Sequence, residues 1–220
     1  MTQLEEVLKL LNGEMQSMAL QVVTQLSKTK NAIIDFDKAI AQEVIVNEAS
    51  INAMELKIDS ICENIVALYT PVAKDMRMVF AYYKINSHLE RIGDYAKNIS
   101  RDIIRLENPY DAGLLKELKI ERMFEIANDM IYQNIAAIST NDMDAAKSVF
   151  DMDEELDELN INGNKLLAIF MAKYNEQIED LLNLSSTLRR LERVGDYNTN
   201  IAEELFFYNE ATVLKHKPKS

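Results

Sequence analysis

Apolar residues recur at intervals of three and four along most of the chain, which is the spacing of amphipathic helices that pack against one another. The first stripe consists of Leu4, Val7, Leu8, Leu11, Met15, Met18, Val22 and Leu26. It predicts a helix that breaks near residues 28–35. A second stripe predicts a helix over about residues 37–68, which Pro71 ends because proline disfavours helix in the residue before it. A third helix follows, from about residue 72 to residue 106.

The second half of the chain repeats this plan. Its apolar pattern predicts helices over about residues 114–138, 143–174 and 178–208, and the polar residues at 139–142 supply helix caps before the second of them. The prediction is therefore six helices, arranged as three plus three. Residues 213–220 form a short basic tail, which we expect to be disordered.

One seven-residue segment occurs twice. Leu89–Tyr95 reads LERIGDY and recurs as LERVGDY at Leu191–Tyr197, an offset of 102 residues. A weaker match over the preceding helices has an offset of 105, and loops of unequal length account for the difference. Two copies of one unit explain nearly the whole chain. We predict an all-α fold of two repeated three-helix bundles, at residues 1–110 and 111–212.

The composition supports a helical fold. The 220 residues include five glycines, three prolines and no tryptophan, which are too few turn-forming residues for a sheet-rich domain of this size. The net charge is −12, and the acidity is concentrated in residues 111–220, where 12 basic side chains face 21 acidic ones. Because a field of this sign repels phosphate backbones, we expect no nucleic-acid partner.

The sequence also bears on the compartment. The single cysteine, Cys62, cannot form an internal disulfide, and no apolar stretch reaches the roughly 18 residues that span a bilayer. Glu5 and Glu6 stand where a signal peptide carries basic residues. We therefore expect a cytoplasmic protein.

Carboxylates four residues apart are the strongest candidates for chemistry. In both copies a glutamate precedes an aspartate by one helical turn and an asparagine follows after another: Glu90, Asp94 and Asn98, and Glu192, Asp196 and Asn200. Like charges at this spacing repel unless a cation lies between them. Three interpretations are open: a solvated helix face, ion pairs with Arg91 or Arg193, and a metal site built from carboxylate oxygens.

The preceding helix of each unit carries a matching polar row: Glu48 with Asn52, and Asp153 with Asp157. An antiparallel helix pair would place each row opposite its Glu-x-x-x-Asp, and two facing acidic rows are hard to explain without a cation. Gly93 and Gly195 stand beside the acidic pairs. Because glycine inside a helix costs about 1 kcal/mol relative to alanine, we expect a helix or a ligand to approach the backbone closely at both positions.

The sequence lacks the common motifs of catalysis. Neither His88 nor His216 follows a glutamate at the spacing that ferritin-like di-iron enzymes use, and no glycine-rich phosphate loop or activated nucleophile occurs. We therefore expect a protein that is not an enzyme. A carboxylate-bridged metalloenzyme is the less favoured alternative, and a plain helical scaffold is another.

The two signatures, LERIGDYAKNI from Leu89 and LERVGDYNTNI from Leu191, resemble the duplicated signature of PhoU proteins. The segment Pro71–Arg77 is similar to the one that precedes the first signature in that family, and the resemblance covers almost the whole chain. It implies two similar three-helix bundles and a non-enzymatic regulator of phosphate homeostasis. Such proteins act beside the ATPase and permease of a phosphate ABC transporter and a sensor histidine kinase, and keep the phosphate-starvation response repressed. A PhoU-like accessory of another phosphate carrier is the alternative.

The resemblance also implies metal. PhoU-like proteins carry multinuclear clusters of iron, zinc or other metals on the Glu-x-x-x-Asp faces, and magnesium or manganese is also open for this chain. Carried over by position, the candidate metal ligands are Glu90, Asp94, Glu192, Asp196, Asp153, Asp157, Glu48 and Asn52. Asn52 stands where the family has a carboxylate, which predicts a weaker first site. We further expect a homodimer that meets the membrane only through its partners.

Overall fold

The computed structural model describes residues 2–140, 142–173 and 178–210, and every regular element in them is an α-helix. In chain order the helices are α1 (Gln3–Ile34), α2 (Lys38–Tyr69), α3 (Ala73–Arg105), α4 (Ala112–Glu117), α5 (Ile120–Thr140), α6 (Met143–Lys173) and α7 (Ile178–Glu210). The all-α prediction is confirmed for these residues. None of the described helices combines the length and the apolar character that crossing a membrane requires.

The helix ends follow from local sequence. Thr2 and Glu5 form a capping box at the start of α1, and the Asp37 carboxylate accepts two backbone N–H groups at the start of α2. Thr70 adopts a left-handed backbone, with φ 42°, between the end of α2 and Pro71. These capping contacts and the left-handed turn at Thr70 explain why the long helices begin and end where they do, with few connecting residues between them.

The structure corrects two of the predicted boundaries. The break expected near residues 28–35 comes only at the end of that range, because α1 continues to Ile34 with Thr29 buried, and α2 begins at Lys38. The predicted helix at 114–138 is divided into α4 and α5, so the described residues contain seven helices rather than six. Lys119 separates these two with a left-handed backbone, φ 54°, which does not continue a right-handed helix.

The long helices pack in two sets of three. Each of α1, α2 and α3 contacts the other two, and the same holds for α5, α6 and α7. The two sets are joined where α3 packs on α7 and α1 packs on α5. Buried apolar side chains form one continuous core, whose largest members include Tyr82 and Phe124. The domain boundary between residues 110 and 111 stays a prediction, and the basic tail lies outside the described residues.

The contact between α3 and α7 places the two signature segments side by side. Lys84 on α3 pairs with Glu204 on α7 at 3.0 Å. Further along the seam, the ring centroids of His88 and Tyr197 lie 5.6 Å apart. Because α3 and α7 also carry the Glu-x-x-x-Asp pairs, the two acidic faces belong to helices in direct contact.

Candidate functional site

Antiparallel helix pairs bring the predicted polar rows together. Helices α2 and α3 run antiparallel, so residue numbers increase along α2 as they decrease along α3. Glu48 lies beside Lys97, Ile51 beside Gly93, and Asp59 beside Asn86. Helix α6 pairs with α7 in the same sense, with Asp153 beside Gly195 and Gly163 beside Leu188. The arrangement expected from the sequence is therefore observed in both helix pairs.

Three carboxylates converge between α2 and α3. The side chains of Glu48, Glu90 and Asp94 each offer an oxygen, and these oxygens lie within 4.8 Å of one another. We call this set the first acidic cluster. Glu48 is 8% exposed, and the buried Asn52 Oδ1, one turn along α2, accepts no hydrogen bond from any described residue. Oxygens this close together require a cation or a shared proton.

A lysine supplies a cation to the first acidic cluster. Lys97 Nζ lies 2.9 Å from Glu48 Oε1 and also pairs with Asp94, three residues earlier on α3. The lysine side chain is 14% exposed, and solvent screens its pair with the buried Glu48 more weakly than its pair with Asp94, whose side chain is 39% exposed. The ion-pair interpretation of the sequence looked to Arg91, which is exposed on the helix surface, and overlooked Lys97. The available signal was a lysine at i+3 from Asp94, on the same helical face.

Proton affinities in the first acidic cluster follow from these contacts. Burial would raise the pKa of Asp94, but hydrogen bonding to Lys97 and Glu48 outweighs burial and holds that pKa below its usual value. Burial would likewise lower the pKa of Lys97, and hydrogen bonds to Asp94 and Glu48 raise it instead. The pKa of Glu90 is raised, by burial first and then by the charge of Asp94. Lys97 thus compensates the Glu48–Asp94 side of the cluster and leaves Glu90 in a negative field.

Four carboxylates stand at the repeat-equivalent positions on α6 and α7, but among the described residues only the first acidic cluster brings three carboxylate oxygens within 4.8 Å of one another. The four are Asp153, Asp157, Glu192 and Asp196, which we call the second acidic cluster. The pKa of Glu192 is raised by burial first and then by the charges of the other three carboxylates, so all four lie within electrostatic reach. Asp153 is the most enclosed, at 2% exposure. The second cluster carries one carboxylate more than the first, because Asp157 replaces Asn52.

An exposed arginine pairs with two carboxylates of the second acidic cluster. Arg193 Nη1 is 3.1 Å from Asp196 Oδ2, and Arg193 Nε is 3.8 Å from Glu192 Oε2. The arginine side chain is 56% exposed, so both pairs are open to water and salt. Thr199 corresponds to Lys97, and its hydroxyl donates to the Asp196 carbonyl at 2.8 Å. An uncharged side chain therefore holds the position that lysine holds in the first cluster.

The two signature glycines allow the facing helices to approach. A Cβ at Gly93 would lie 2.9 Å from Ile51 Cδ1, and a Cβ at Gly195 would lie 2.7 Å from Asp153 Oδ1. Both distances are too short for a real side chain, so the predicted close approach is confirmed at both positions, with a helix as the neighbour. At Gly195 the nearest atom belongs to a candidate metal ligand. An alanine there would displace the Asp153 carboxylate.

The single thiol is inert. Cys62 on α2 is 2% exposed. Burial, followed by the charges of Asp59 and Glu63, raises its pKa to about 12. A thiol in this environment stays protonated at neutral pH and is a poor nucleophile or metal ligand.

A model of the PhoU domain matches the chain twice, at residues 15–103 and 120–205. The two matches together span well over half of the sequence. This chain belongs to the PhoU family. Each PhoU match contains one acidic cluster and the helix pair that builds it, in agreement with the duplicated signature.

Several PhoU proteins are similar to this chain along most of their length. The phosphate-specific transport system accessory protein PhoU homolog of Zymomonas mobilis is 32% identical over 182 residues, which cover 83% of this chain and 76% of the relative. The PhoU homolog of Pseudomonas aeruginosa is 32% identical over 197 residues, 89% of this chain and 80% of the relative. The PhoU protein of Escherichia coli K12 is 29% identical over 212 residues, 93% of this chain and 87% of the relative.

Crystal structures of PhoU proteins share the fold. PhoU from Pseudomonas aeruginosa superposes with a TM-score of 0.86 at 29% identity, covering 96% of this chain and 100% of that one. The phosphate transport system regulatory protein PhoU from Streptococcus pneumoniae superposes with a TM-score of 0.87 at 25% identity, covering 96% of this chain and 99% of that one. The seven described helices therefore form a PhoU fold.

The two acidic clusters of this PhoU chain fit a metal ion unequally. Carboxylate oxygens are hard ligands that suit iron, manganese and magnesium, and also bind zinc. The second cluster offers four of them, with the Asp153 carboxylate seated against Gly195 where a Cβ would otherwise stand. In the first cluster the Lys97 ammonium already contacts two of the three carboxylates. The first cluster therefore has the closer oxygens and an ammonium group among them, whereas the second has one carboxylate more and the uncharged Thr199 at the position of Lys97.

Proposed function

We propose that this PhoU protein is a cytoplasmic accessory of a phosphate-specific transport system and acts as a regulator. In this proposal it couples the ATPase or permease of a phosphate ABC transporter to a sensor histidine kinase, and it represses the phosphate-starvation response when phosphate is plentiful. The observation that carries the proposal is the match of both halves to PhoU domains. Relatives described as phosphate-specific transport accessory proteins align with the same two halves.

The proposal assigns the protein a binding role rather than catalysis. Long helices with half-buried acidic faces form rigid surfaces whose relative position responds to a bound cation. Such surfaces can determine how the two helix sets present themselves to a partner. A homodimer is part of the proposal, and contact with the membrane is made through the partners alone.

We also propose that the second acidic cluster binds metal. Asp153 and Asp157 would hold the ion from α6, and Glu192 and Asp196 would hold it from α7. When bound, the metal supplies positive charge to four carboxylates that otherwise repel one another, and it ties the two helices together. Burial first, and then the charges of the other three carboxylates, raise the pKa of Glu192, and a bound cation would oppose both effects.

Metal analysis of the purified protein tests the metal site. The Glu192→Gln/Asp196→Asn variant removes two ligand charges and keeps the shape of both side chains. The matched control is Glu90→Gln/Asp94→Asn, the same pair of changes on α3. We expect wild type and control to retain metal and the α7 variant to lose most of it. Equal metal content in all three proteins would contradict the proposal.

The partners are tested in cells. A tagged protein is purified from phosphate-replete cells, and the co-purifying proteins are identified by mass spectrometry. We expect the ATPase of a phosphate ABC transporter and a sensor histidine kinase, and we expect deletion of the gene to derepress a phosphate-starvation reporter. Recovery of a different phosphate carrier would favour that alternative. A reporter that stays repressed in the deletion strain would contradict the regulatory role.

A further inference from the structure

The first and second acidic clusters differ in what lies between their carboxylates. We propose that Lys97 takes the place of a metal ion in the first acidic cluster, so that this cluster is a fixed ion-pair joint and metal binds at the second cluster alone. Lys97 is then the residue that decides which half of the protein responds to metal. This inference deepens the proposed function and rests on its metal site.

The first argument is position. Lys97 Nζ contacts a carboxylate from each of the two facing helices, Glu48 on α2 and Asp94 on α3. A bridging metal ion would make these same two contacts. Because the oxygens of the cluster lie within 4.8 Å of one another, an ion bound there would sit a few ångströms from the ammonium group. Two positive charges at that distance repel strongly in a partly buried place.

The second argument is permanence. Lys97 lies one turn after Asp94 on α3, so the chain itself holds the ammonium group at the cluster. A tethered group competes at a high effective concentration, whereas a metal ion must come from a dilute solution. With 14% exposure, the lysine side chain also cannot swing freely into water without leaving two half-buried carboxylates uncompensated.

The third argument is the contrast with the second cluster. Thr199, at the position of Lys97, carries no charge and directs its hydroxyl to a backbone carbonyl. Arg193, whose side chain is 56% exposed, pairs with Asp196 and with Glu192. The exchange of Asn52 for Asp157 adds a further negative charge. Both differences increase the attraction of the second cluster for a multivalent cation.

Exchanging the lysine tests the inference. Lys97→Thr copies the side chain of Thr199 into the first cluster, and Lys97→Gln removes the charge while keeping length and hydrogen-bonding capacity. The matched control is Lys84→Thr, which removes another lysine that pairs with an enclosed glutamate on a neighbouring helix. Each full-length protein is titrated with Mn²⁺, bound ion is counted by electron paramagnetic resonance, and folding is checked by circular dichroism.

We expect wild type and Lys84→Thr to bind equal amounts of Mn²⁺, and Lys97→Thr to bind about one more ion per chain. Adding Asp94→Asn to Lys97→Thr removes that extra ion. Lys97→Gln gives the same gain if the threonine variant does not fold. The inference is overturned if neither folded lysine variant gains an ion, or if Asp94→Asn alone lowers binding by the wild type. Glu192→Gln/Asp196→Asn, measured in parallel, reports separately on the second cluster.

Discussion

The first and second acidic clusters occupy equivalent places in two antiparallel helix pairs, yet they compensate their charge differently. In both, a glycine on the signature helix admits the facing helix, through Ile51 in one case and Asp153 in the other. In the first cluster Lys97 pairs with Glu48 and Asp94, whereas in the second the equivalent position is the uncharged Thr199 and the exposed Arg193 pairs with Asp196. A duplicated fold can thus keep the same close approach of two helices in both copies. Single side chains then decide whether the cation at each cluster comes from the protein or from solution.

The strongest way to break this contrast is to make the second cluster resemble the first. Thr199→Lys places an ammonium group at i+3 from Asp196, as Lys97 stands to Asp94. Because the new positive charge lies within reach of Asp196, as Lys97 lies within reach of Asp94, we expect Mn²⁺ affinity to fall at least about tenfold, which is about 1.4 kcal/mol of binding free energy. Isothermal titration calorimetry measures the change.

The control for this exchange is Thr24→Lys on α1. Thr24 is exposed and, like Thr199, donates its hydroxyl to a backbone carbonyl, at 2.9 Å. The Thr24→Lys substitution adds the same charge away from both clusters, so Mn²⁺ affinity should stay close to that of wild type. If Thr24→Lys and Thr199→Lys weaken binding equally, the effect is one of net charge, and the position of Lys97 has no special meaning.

Replacing each signature glycine by alanine should destabilise the two helix pairs to different extents. In Gly195→Ala the new Cβ meets the enclosed Asp153 carboxylate at 2.7 Å and Leu156 at 3.0 Å. Overpacking costs about 1–3 kcal/mol, of which better helix propensity offsets about 1 kcal/mol. In Gly93→Ala the new Cβ has one contact under 3.0 Å, with the terminal Cδ1 of Ile51, so we expect a smaller loss. Urea unfolding should rank Gly195→Ala below Gly93→Ala.

The exposed Gly13 calibrates that series. A Cβ there has no described atom within 4 Å, so Gly13→Ala should raise the free energy of unfolding by about 1 kcal/mol through helix propensity alone. Equal stability of Gly195→Ala and Gly13→Ala would show that α6 and α7 are not as close as described. Such a result would remove the structural basis of the second cluster.

The ion pairs of Lys97 predict a pH dependence confined to the first cluster. The lowered pKa of Asp94 gives stability that is present above the unfolded carboxyl pKa of about 3.9 and is lost as the pH falls. The raised pKa of Lys97 gives stability that is present below about pH 10.4 and is lost above it. The stability difference between wild type and Lys97→Gln should be fully present at pH 7 and should become smaller as the pH falls below about 3.9.

The size of this difference is limited by solvent. Because Asp94 is partly exposed, screening restricts the contribution of the pair to about 1 kcal/mol or less. Urea unfolding of wild type and Lys97→Gln at pH 7 and pH 3 measures it. A difference of the same size at pH 3 and pH 7 would assign the effect of Lys97 to packing of its aliphatic chain instead of its charge.

The smallest effect we expect is on the rate of thiol labelling at Cys62. This residue reports on the first helix set alone, because the second set contains no cysteine. With 2% exposure and a pKa of about 12, the thiol reacts only when α2 opens locally. Lys97→Thr loosens the joint between α2 and α3, so thiol labelling at pH 8 should become a few-fold faster. Thr199→Lys should leave the labelling rate unchanged.

Much of this arrangement is readable from sequence. The period of the apolar residues predicts the long helices, because burial of one face repeats every three or four positions. The duplicated signature predicts equivalent acidic rows, and Gly93 and Gly195 predict close backbone approach. These features are regular or repeated, so a single sequence contains its own internal comparison.

The features that sequence reasoning missed are single and local. The division of α4 from α5 depends on one left-handed residue, Lys119, which is not a residue type that usually signals such a turn. The role of Lys97 depends on Glu48, which is distant in the chain and comes near only after α2 has packed on α3. Arg91 is closer to Glu90 in sequence and drew attention to the exposed side of the helix.

Anomalous X-ray scattering from crystals soaked in Mn²⁺ tests the central claim most directly, because it locates each ion without any substitution. The account predicts a peak between α6 and α7, within coordination distance of Asp153, Asp157, Glu192 and Asp196. It predicts no peak between α2 and α3, where the Lys97 ammonium remains in contact with Glu48 and Asp94. A peak among Glu48, Glu90 and Asp94, with Lys97 displaced, would contradict it.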